Sequence, residues 1–517
     1  MDYSIFCQWV EGLSVFSSGN TDEVDLASAL DRIALSFLLA IPIDTHPAPP
    51  YFRGMSIYAE SFTSAHESFL TDLFPGDKSV LSQEGMAAFS SDSSQVRAMP
   101  WAVVRPDNRE QIEELLRWAD RERMPIYGRA RATGRVGSVV PNIGGVVVSM
   151  LRMDEILAVD ENDFVAVCQP GVITGDLQVV CAEKRLMYPP DPASVKYSTI
   201  GGNIATCAGG LKAVKYGVTR DWVLGVEAVL PGGRVMRAGG RAHKDVVGLD
   251  LTRLFVGSNG KLGLMTEVIV KLIPLPETSA SVLVGFPDLR SSMEGAQAIF
   301  RSGVLPTACE FMDHVTIQAV RQMGDDIPLA DNAKAALLLM VDGTEAGVEA
   351  EMQQMVAALD GSSPVSVEVG RGEDEEKVWS VRRKISPAAF YIKPNKLADD
   401  IAVPRGSVAE AVERSHQLGE ESNLPVMCFG HLGDGNIHVN VMFDAADPDE
   451  AERAHKVKKA IARMAIGFGG TISGEHGTGL TKAEFVGEQL SQQEIDLMVS
   501  IKQVFDPNSI MNPGKGW

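Results

Sequence analysis

Apolar runs alternate with glycine- and proline-rich breaks along most of the chain, and their period sorts them into strands and helices. Between Asn108 and Glu122 the apolar positions Ile112, Leu115, Leu116 and Ala119 fall three or four apart, the spacing of one helix face. The run Pro100–Pro106 before it predicts a short strand, and Pro125-Ile126-Tyr127 begins another after it. This strand–helix–strand unit leads into the loop Gly128-Arg129-Ala130-Arg131-Ala132-Thr133-Gly134. The β-branched runs Gly144–Met150 and Phe164–Val172 predict strands, Thr174–Lys184 a helix, and Glu267–Leu275 a strand that ends among Pro274 and Pro276, a natural domain boundary. Beyond it, strands are expected at Ser281–Gly285, Ala335–Asp342, Asp400–Pro404 and His438–Phe443. Helices are expected over Ser291–Arg301, Glu345–Leu359 and Val408–Ser422. Near the start, Asp22–Leu39 also has helical spacing, with Thr21 or Asp22 as its cap and Pro42 as its stop.

A length of 517 residues suggests two or three domains with ample core, and 45% apolar with 22% charged residues is ordinary for a globular protein. The net charge of −21 argues against nucleic acid and anionic membrane surfaces as partners. It also requires that an anionic substrate be captured by local cations. Six scattered cysteines with no Cys-x-x-Cys argue against a zinc finger or iron–sulfur cluster and fit reduced thiols in the cytoplasm. No basic leader is seen at Met1-Asp2-Tyr3-Ser4, and the longest apolar run, Ile33–Ile43, is too short to span a bilayer.

Two stretches carry candidate chemistry. Pro189–Gly217 packs Gly201, Gly202, Gly209, Gly210 and Gly217 among small residues and proline-rich turns. Glycine lets backbone approach a ligand closely, and exposed N–H groups make anion-binding concavities. Neither Gly-x-Gly-x-x-Gly nor the P-loop pattern occurs here, so the stretch is either a loop-rich turn between strands or a cradle for a diphosphate cofactor. The second stretch is His431-Leu432-Gly433-Asp434-Gly435-Asn436-Ile437-His438, with Ser473-Gly474-Glu475-His476-Gly477-Thr478-Gly479 farther on. A turn folding back at Gly433–Gly435 aims both imidazoles at one point, and histidine with a carboxylate suits zinc or a divalent transition metal. The plainer alternative is a pair of glycine-rich turns with incidental charge.

These segments resemble the vanillyl-alcohol oxidase (p-cresol methylhydroxylase) flavoprotein family. Within it they are similar to the FAD-linked D-2-hydroxyacid dehydrogenases acting on D-lactate, glycolate or D-2-hydroxyglutarate. The resemblance runs from Phe69 to Lys515, taking in Asp221–Gly233 and the ending Phe505–Lys515. It implies an α+β protein with a two-subdomain FAD-binding domain over 69–276 and an α+β cap domain with a central antiparallel sheet over 277–467. A C-terminal segment, 468–517, returns to the FAD domain, and 1–68 is an extension with no inherited role. The family's first phosphate loop usually reads Pro-Arg-Gly-x-Gly-Thr. Matching positions here are Arg129, Ala130, Arg131, Ala132 and Thr133, so two glycines have become alanine. In the main loop the cofactor positions are Pro190, Asp191, Thr199, Gly201 and Gly202, followed by Asn203, Ala205 and Thr206. Gly263 and Asn512 complete them; near Gly263, Asn259 and Lys261 replace the family's Glu and Thr.

The resemblance further implies His431, His438 and Glu475 as ligands of a zinc, manganese or iron ion, His476 as general base, and Arg382, in Trp379-Ser380-Val381-Arg382, as the grip on the substrate carboxylate. Glu310 and Asp313 match a family segment to which no chemistry is assigned. The expected reaction is metal-assisted oxidation of a D-2-hydroxy acid, foremost D-lactate, with hydride passing to a non-covalent FAD. Electrons then go to an external acceptor: an electron-transfer flavoprotein, a quinone, a cytochrome or an iron–sulfur subunit. Glycolate or D-2-hydroxyglutarate oxidation, an alkyl-dihydroxyacetone-phosphate synthase, and a non-catalytic flavin subunit of a larger complex are the alternatives. A cytoplasmic protein, a homodimer, and membrane attachment only through a partner are the remaining expectations.

Overall fold

The structure is a computed structural model that describes residues 58–517 except 95, 325 and 326, so the helix expected over Asp22–Leu39 lies outside the described residues. Helix α1 (Ser64–Leu73) opens the described chain, capped by Thr63. A small sheet follows, made of β1 (Ser79–Val80), β2 (Ala102–Val104), β3 (Ile126–Arg129) and β4 (Val146–Ser149) in the order β1-β2-β4-β3. Its three longer strands are parallel. Parallel neighbours need a crossover; α2 (Arg109–Glu122) follows β2, with Asn108 accepting from the Gln111 N–H at its start. The expected face of α2 is the buried one, with Trp118 added to it.

The second sheet contains β5 (Ile156–Asp160), β6 (Val165–Cys168), β7 (Val223–Leu230), β8 (Arg234–Gly239) and β9 (Leu264–Lys271), antiparallel in the order β5-β6-β9-β7-β8. The excursion between β6 and β7 carries α3 (Thr174–Glu183), α4 (Ile200–Thr206) and α5 (Ala213–Tyr216). Nearly every side chain of β7 is buried, whereas β9 alternates buried with half-buried positions, as a one-sided strand should.

The third sheet is the largest: β10 (Thr278–Phe286), β11 (Ala308–Met312), β12 (Ala335–Gly343), β13 (Ser366–Arg371), β14 (Asn395–Ala402), β15 (Val426–His431) and β16 (Asn436–Phe443). Every pairing in the order β13-β10-β12-β11-β15-β16-β14 is antiparallel. Both faces are covered. Helices α6 (Leu289–Arg301), α8 (Glu345–Leu359), α10 (Val408–Glu421) and α11 (Pro448–Gly467) pack on one face. Helices α7 (His314–Gln322) and α9 (Glu373–Ala388) pack on the other. The chain then returns through α12 (Gln492–Phe505) to the first sheet, where Asn512 N–H donates to the Ile126 carbonyl (2.7 Å) and Ile510 and Met511 join the core around β2–β4. No helix of the described residues is long and apolar enough to cross a membrane.

The strand expected at Asp400–Pro404 is displaced toward the N-terminus. Its last ladder residue is Ala402, because Val403 turns its N–H to the Gly435 carbonyl and Pro404 has none to offer.

Candidate active site

The glycine stretch folds as the α4 turn and the loop beyond it. Thr199 caps α4, its hydroxyl accepting from Gly202 N–H (3.2 Å). Glycine is needed at 201, where a Cβ would lie 2.5 Å from the Pro170 side chain. The first phosphate loop comes against this turn: a Cβ on Gly202 would meet the Ala130 methyl at 3.1 Å. Ala132 sits in the left-handed region (φ 54°), the backbone a family glycine would favour, whereas Ala130 is not in that region. Thr133 follows in the half-buried part of this loop, and Arg131 is exposed.

Several of the expected cofactor residues are committed to the protein itself. The buried Arg129 guanidinium donates to the carbonyls of Ala88 (3.2 Å), Phe89 (3.4 Å) and Ser91 (2.8 Å). Burial lowers its pKa to about 10, although Asp92 opposes the shift. Asn203 donates to the Thr174 hydroxyl (2.8 Å), the Pro190 carbonyl accepts from Gln178 (2.9 Å), and the Ala205 carbonyl accepts from Asn259 N–H (2.7 Å). Thr206 bonds back to the Gly202 carbonyl, and a Cβ on Gly263 would lie 2.6 Å from the Val229 carbonyl. The Asp191 carboxyl is pushed upward by burial against the pull of Lys212, and its carbonyl lies where a Cβ of Gly210 would be.

Buried polar atoms without protein partners lie beside this region: Ser138 Oγ, Asn259 Oδ1 and Asn512 Oδ1. Asn512 ties two of these segments, donating to the carbonyls of Ser138 (2.9 Å) and Asn259 (2.6 Å). Buried polar groups ordinarily find a hydrogen-bonding partner. Orphaned donors and acceptors beside two close-packed glycine-type loops fit a polar dinucleotide such as FAD.

The second stretch is the β15–β16 hairpin. His431 ends β15 and His438 lies in β16, with their Nε2 atoms 3.3 Å apart. Glu475 Oε1 comes within 3.7 Å of the first and 3.6 Å of the second. Two imidazoles and a carboxylate converging in this way are a donor set for zinc or a divalent transition metal. Burial alone would raise the Glu475 pKa, but the neighbouring imidazoles, His431 foremost, hold it down at about 2. Burial and the His431 charge hold His438 well below the usual imidazole value. The glycine loop touches this cluster: a Cβ on Gly209 would lie 2.8 Å from Glu475 Oε2.

His476 stands beside the cluster, its ring stacked on His438 (centroids 5.6 Å apart) and its Nε2 4.0 Å from Glu475 Oε1. The fully buried Asp400 holds the loop that carries it. Asp400 accepts from the backbone N–H of Glu475 (2.6 Å) and His476 (3.1 Å), from His476 Nδ1 (3.0 Å) and from the Lys482 ammonium (2.6 Å). Burial would raise its pKa, but Lys482 and His476 keep the carboxyl well below the usual range. Arg382 comes from α9, over the Phe429 ring (5.0 Å), and Phe429 in turn contacts His438 (ring centroids 5.2 Å apart). The structure thus brings His431, His438, Glu475, His476 and Arg382 together, with the glycine loop against them.

Asp400 and Lys482 were missed from sequence; the only local sign was a doubled aspartate, Asp399-Asp400, leading into an apolar strand. A second trio, Asp313, His416 and Cys428, also converges. Its carboxylate caps α7 at Thr316 (2.7 Å), accepts from Cys428 N–H (2.7 Å) and pairs with His416 (2.9 Å), so it ties α7 and α10 to β15.

Residues 100–239 match the family described as FAD binding domain, and residues 275–516 match that described as FAD linked oxidases, C-terminal domain. The chain is 40% identical to glycolate oxidase subunit GlcD of Bacillus subtilis over 84% of this chain and 93% of that one. The chain belongs to the FAD-linked oxidase family. It is also 33% identical to D-lactate dehydrogenase of Anaerostipes hadrus, over 81% of this chain and 90% of that one. The fold of this family member is that of p-cresol methylhydroxylase, solved with substrate bound: TM-score 0.72 at 15% identity, covering 89% of this chain and 98% of the other.

Proposed function

We propose that this FAD-linked oxidase is a D-2-hydroxyacid dehydrogenase that converts D-lactate to its 2-oxo acid and passes the electrons to an external acceptor. The observation that carries this reading is the placement of a guanidinium and an imidazole at one buried three-ligand cluster, with the glycine loop in contact with it. When bound, FAD supplies a hydride acceptor, and a divalent ion at His431, His438 and Glu475 supplies a Lewis acid that makes the 2-hydroxyl more acidic.

The chain's own residues do the rest. Arg382 grips the substrate carboxylate through its guanidinium fork, which fixes the α-carbon in place. Asp400 accepts the Nδ1 proton of His476, leaving Nε2 on the cluster side as the acceptor for the hydroxyl proton. The imidazolium so formed keeps the Asp400 carboxylate as its partner.

The acceptor is an electron-transfer flavoprotein, a quinone, a cytochrome or an iron–sulfur subunit. The word subunit in the Bacillus relative's name favours a protein acceptor, and that same relative favours glycolate as the second candidate substrate.

Anaerobic mixing of the FAD-loaded protein with D- and L-2-hydroxy acids tests the reading. D-lactate should bleach the flavin, L-lactate should not, and a chelator should slow the bleaching. His476→Asn should retain FAD while losing the bleaching. A flavin that no 2-hydroxy acid reduces would sink the proposal.

A further inference from the structure

We propose that Glu310, by itself, positions both the ligand His431 and the substrate grip Arg382; this rests on the function proposed above. The pairing of β11 with β15 puts Glu310 directly opposite His431. The Glu310 side chain is fully buried, and its two carboxylate oxygens are divided between two partners. Oε1 lies 2.5 Å from His431 Nδ1, and Oε2 accepts from Arg382 Nε at 2.7 Å.

Each contact fixes something the site needs. A carboxylate only accepts, so His431 Nδ1 carries a proton in either charge state, and Nε2 is the atom left to offer a lone pair to an ion beside His438 and Glu475. Arg382 is engaged through Nε, so its two Nη amino groups remain for the ligand's carboxylate. The orientation of the carboxylate grip and the tautomer of a metal ligand therefore depend on one side chain.

Glutamine cannot replace it. If the amide oxygen accepts from His431, the amide NH₂ faces the Arg382 donor. If the oxygen accepts from Arg382, the NH₂ donates to His431 Nδ1 and drives the proton onto Nε2, where it blocks the ion. One of the two contacts must fail in either orientation.

The test is equilibrium dialysis of the FAD-loaded protein against Zn²⁺, alongside steady-state kinetics with D-lactate. For Glu310→Gln, the Zn²⁺ dissociation constant should rise about 10–100-fold, the range expected when the outer partner of a ligating histidine is lost. KM should rise with it, while FAD content stays at the wild-type level. A residue that merely supported the fold would change FAD content and thermal midpoint instead, leaving the ion affinity of the folded fraction intact. Glu310→Asp covers the case in which the glutamine variant does not fold. Its carboxylate keeps the charge but is one methylene too short to span both partners, so Zn²⁺ should bind at least about fivefold more weakly. Zn²⁺ affinity and KM within twofold of wild type in the folding variant would overturn the inference. A wild-type protein that binds no Zn²⁺ would instead count against the metal step of the proposed function.

Discussion

Ala132 carries a backbone that its side chain disfavours. The family's phosphate loop ordinarily has glycine there, and the chain keeps the glycine-like conformation, φ 54°, after the glycine is gone. A Cβ in the left-handed region costs on the order of 1 kcal/mol. Ala132→Gly should therefore raise the stability of the apoprotein by about 1 kcal/mol, read as a higher urea midpoint at unchanged slope. FAD affinity should not fall. Destabilisation by the glycine would mean that the left-handed backbone is held by something other than the loop's own closure. Gly209 is the converse case. A Cβ there would lie 2.8 Å from Glu475 Oε2 and 3.2 Å from Glu475 Cβ, so a side chain at 209 would displace the carboxylate that closes the cluster.

Elements were legible in sequence where apolar period and boundary residues agreed. The face of α2 is Ile112, Leu115, Leu116 and Ala119, as its spacing indicates, and Asn108 caps it. The His–Gly-Asp-Gly–His turn is a hairpin that aims both imidazoles at one point, because the glycines permit the reversal and β15–β16 pairing sets the two strands side by side. The partners of the site were not legible. Asp400 and Glu310 lie far apart in the chain, and sheet pairing sets them opposite His438 and His431, while Lys482 reaches Asp400 from the returning C-terminal segment. Helix α9 was equally hidden: four acidic residues, Glu373–Glu376, start it, a pattern that suits a helix N-terminus but mimics a charged loop. The Asp313–His416 tie between α7 and α10 gives an element-scale prediction. His416 faces Asp313, Glu420 and the His314 ring; burial opposes its charge, but the Asp313 carboxylate prevails and raises its pKa above 6.5. A raised folded-state value means that the tie contributes fully below pH 6.5 and is lost as pH climbs through the folded pKa. His314, lowered by burial, titrates in the opposite sense, so the comparison must be with a variant. Wild type should be more stable than His416→Gln at pH 6, and the gap should close by pH 9 in urea titrations. A gap independent of pH would show that the imidazole contributes by packing alone.

At the scale of the molecule, the question is what holds the large sheet in register with the cradle, since the proposed chemistry needs groups from both. The contact is small and well defined. Asp342, on β12 with its side chain 5% exposed, accepts from Lys215 (2.6 Å), from Tyr216 Oη (2.8 Å) and from Thr307 (2.7 Å). Lys215 and Tyr216 belong to α5, the turn that directly follows the glycine loop. On the same turn, Val214 packs where any side chain at Gly433 would go, so the cradle's outgoing segment sits on the hairpin that presents His431 and His438. With a net charge of −21, the protein offers an anionic substrate no attractive global field, and in the proposed reaction capture falls to Arg382. Removing the Asp342 carboxylate deletes the acceptor of all three bonds and leaves Lys215 without its counter-charge. Hydrogen bonds to charged groups contribute about 1.5–3 kcal/mol each, and neighbouring ones are not additive. Asp342→Ala should thus lower stability by about 2–3 kcal/mol while both the FAD content and the Zn²⁺ content of the folded protein persist. The rate of flavin reduction by D-lactate should fall at least about tenfold, because an ångström of misplacement between hydride donor and acceptor is enough to do so. If stability drops but the reduction rate of the folded protein is unchanged, the alignment must be set elsewhere, and the returning segment around Asn512, which bonds to both Ser138 and Asn259, becomes the element that sets it.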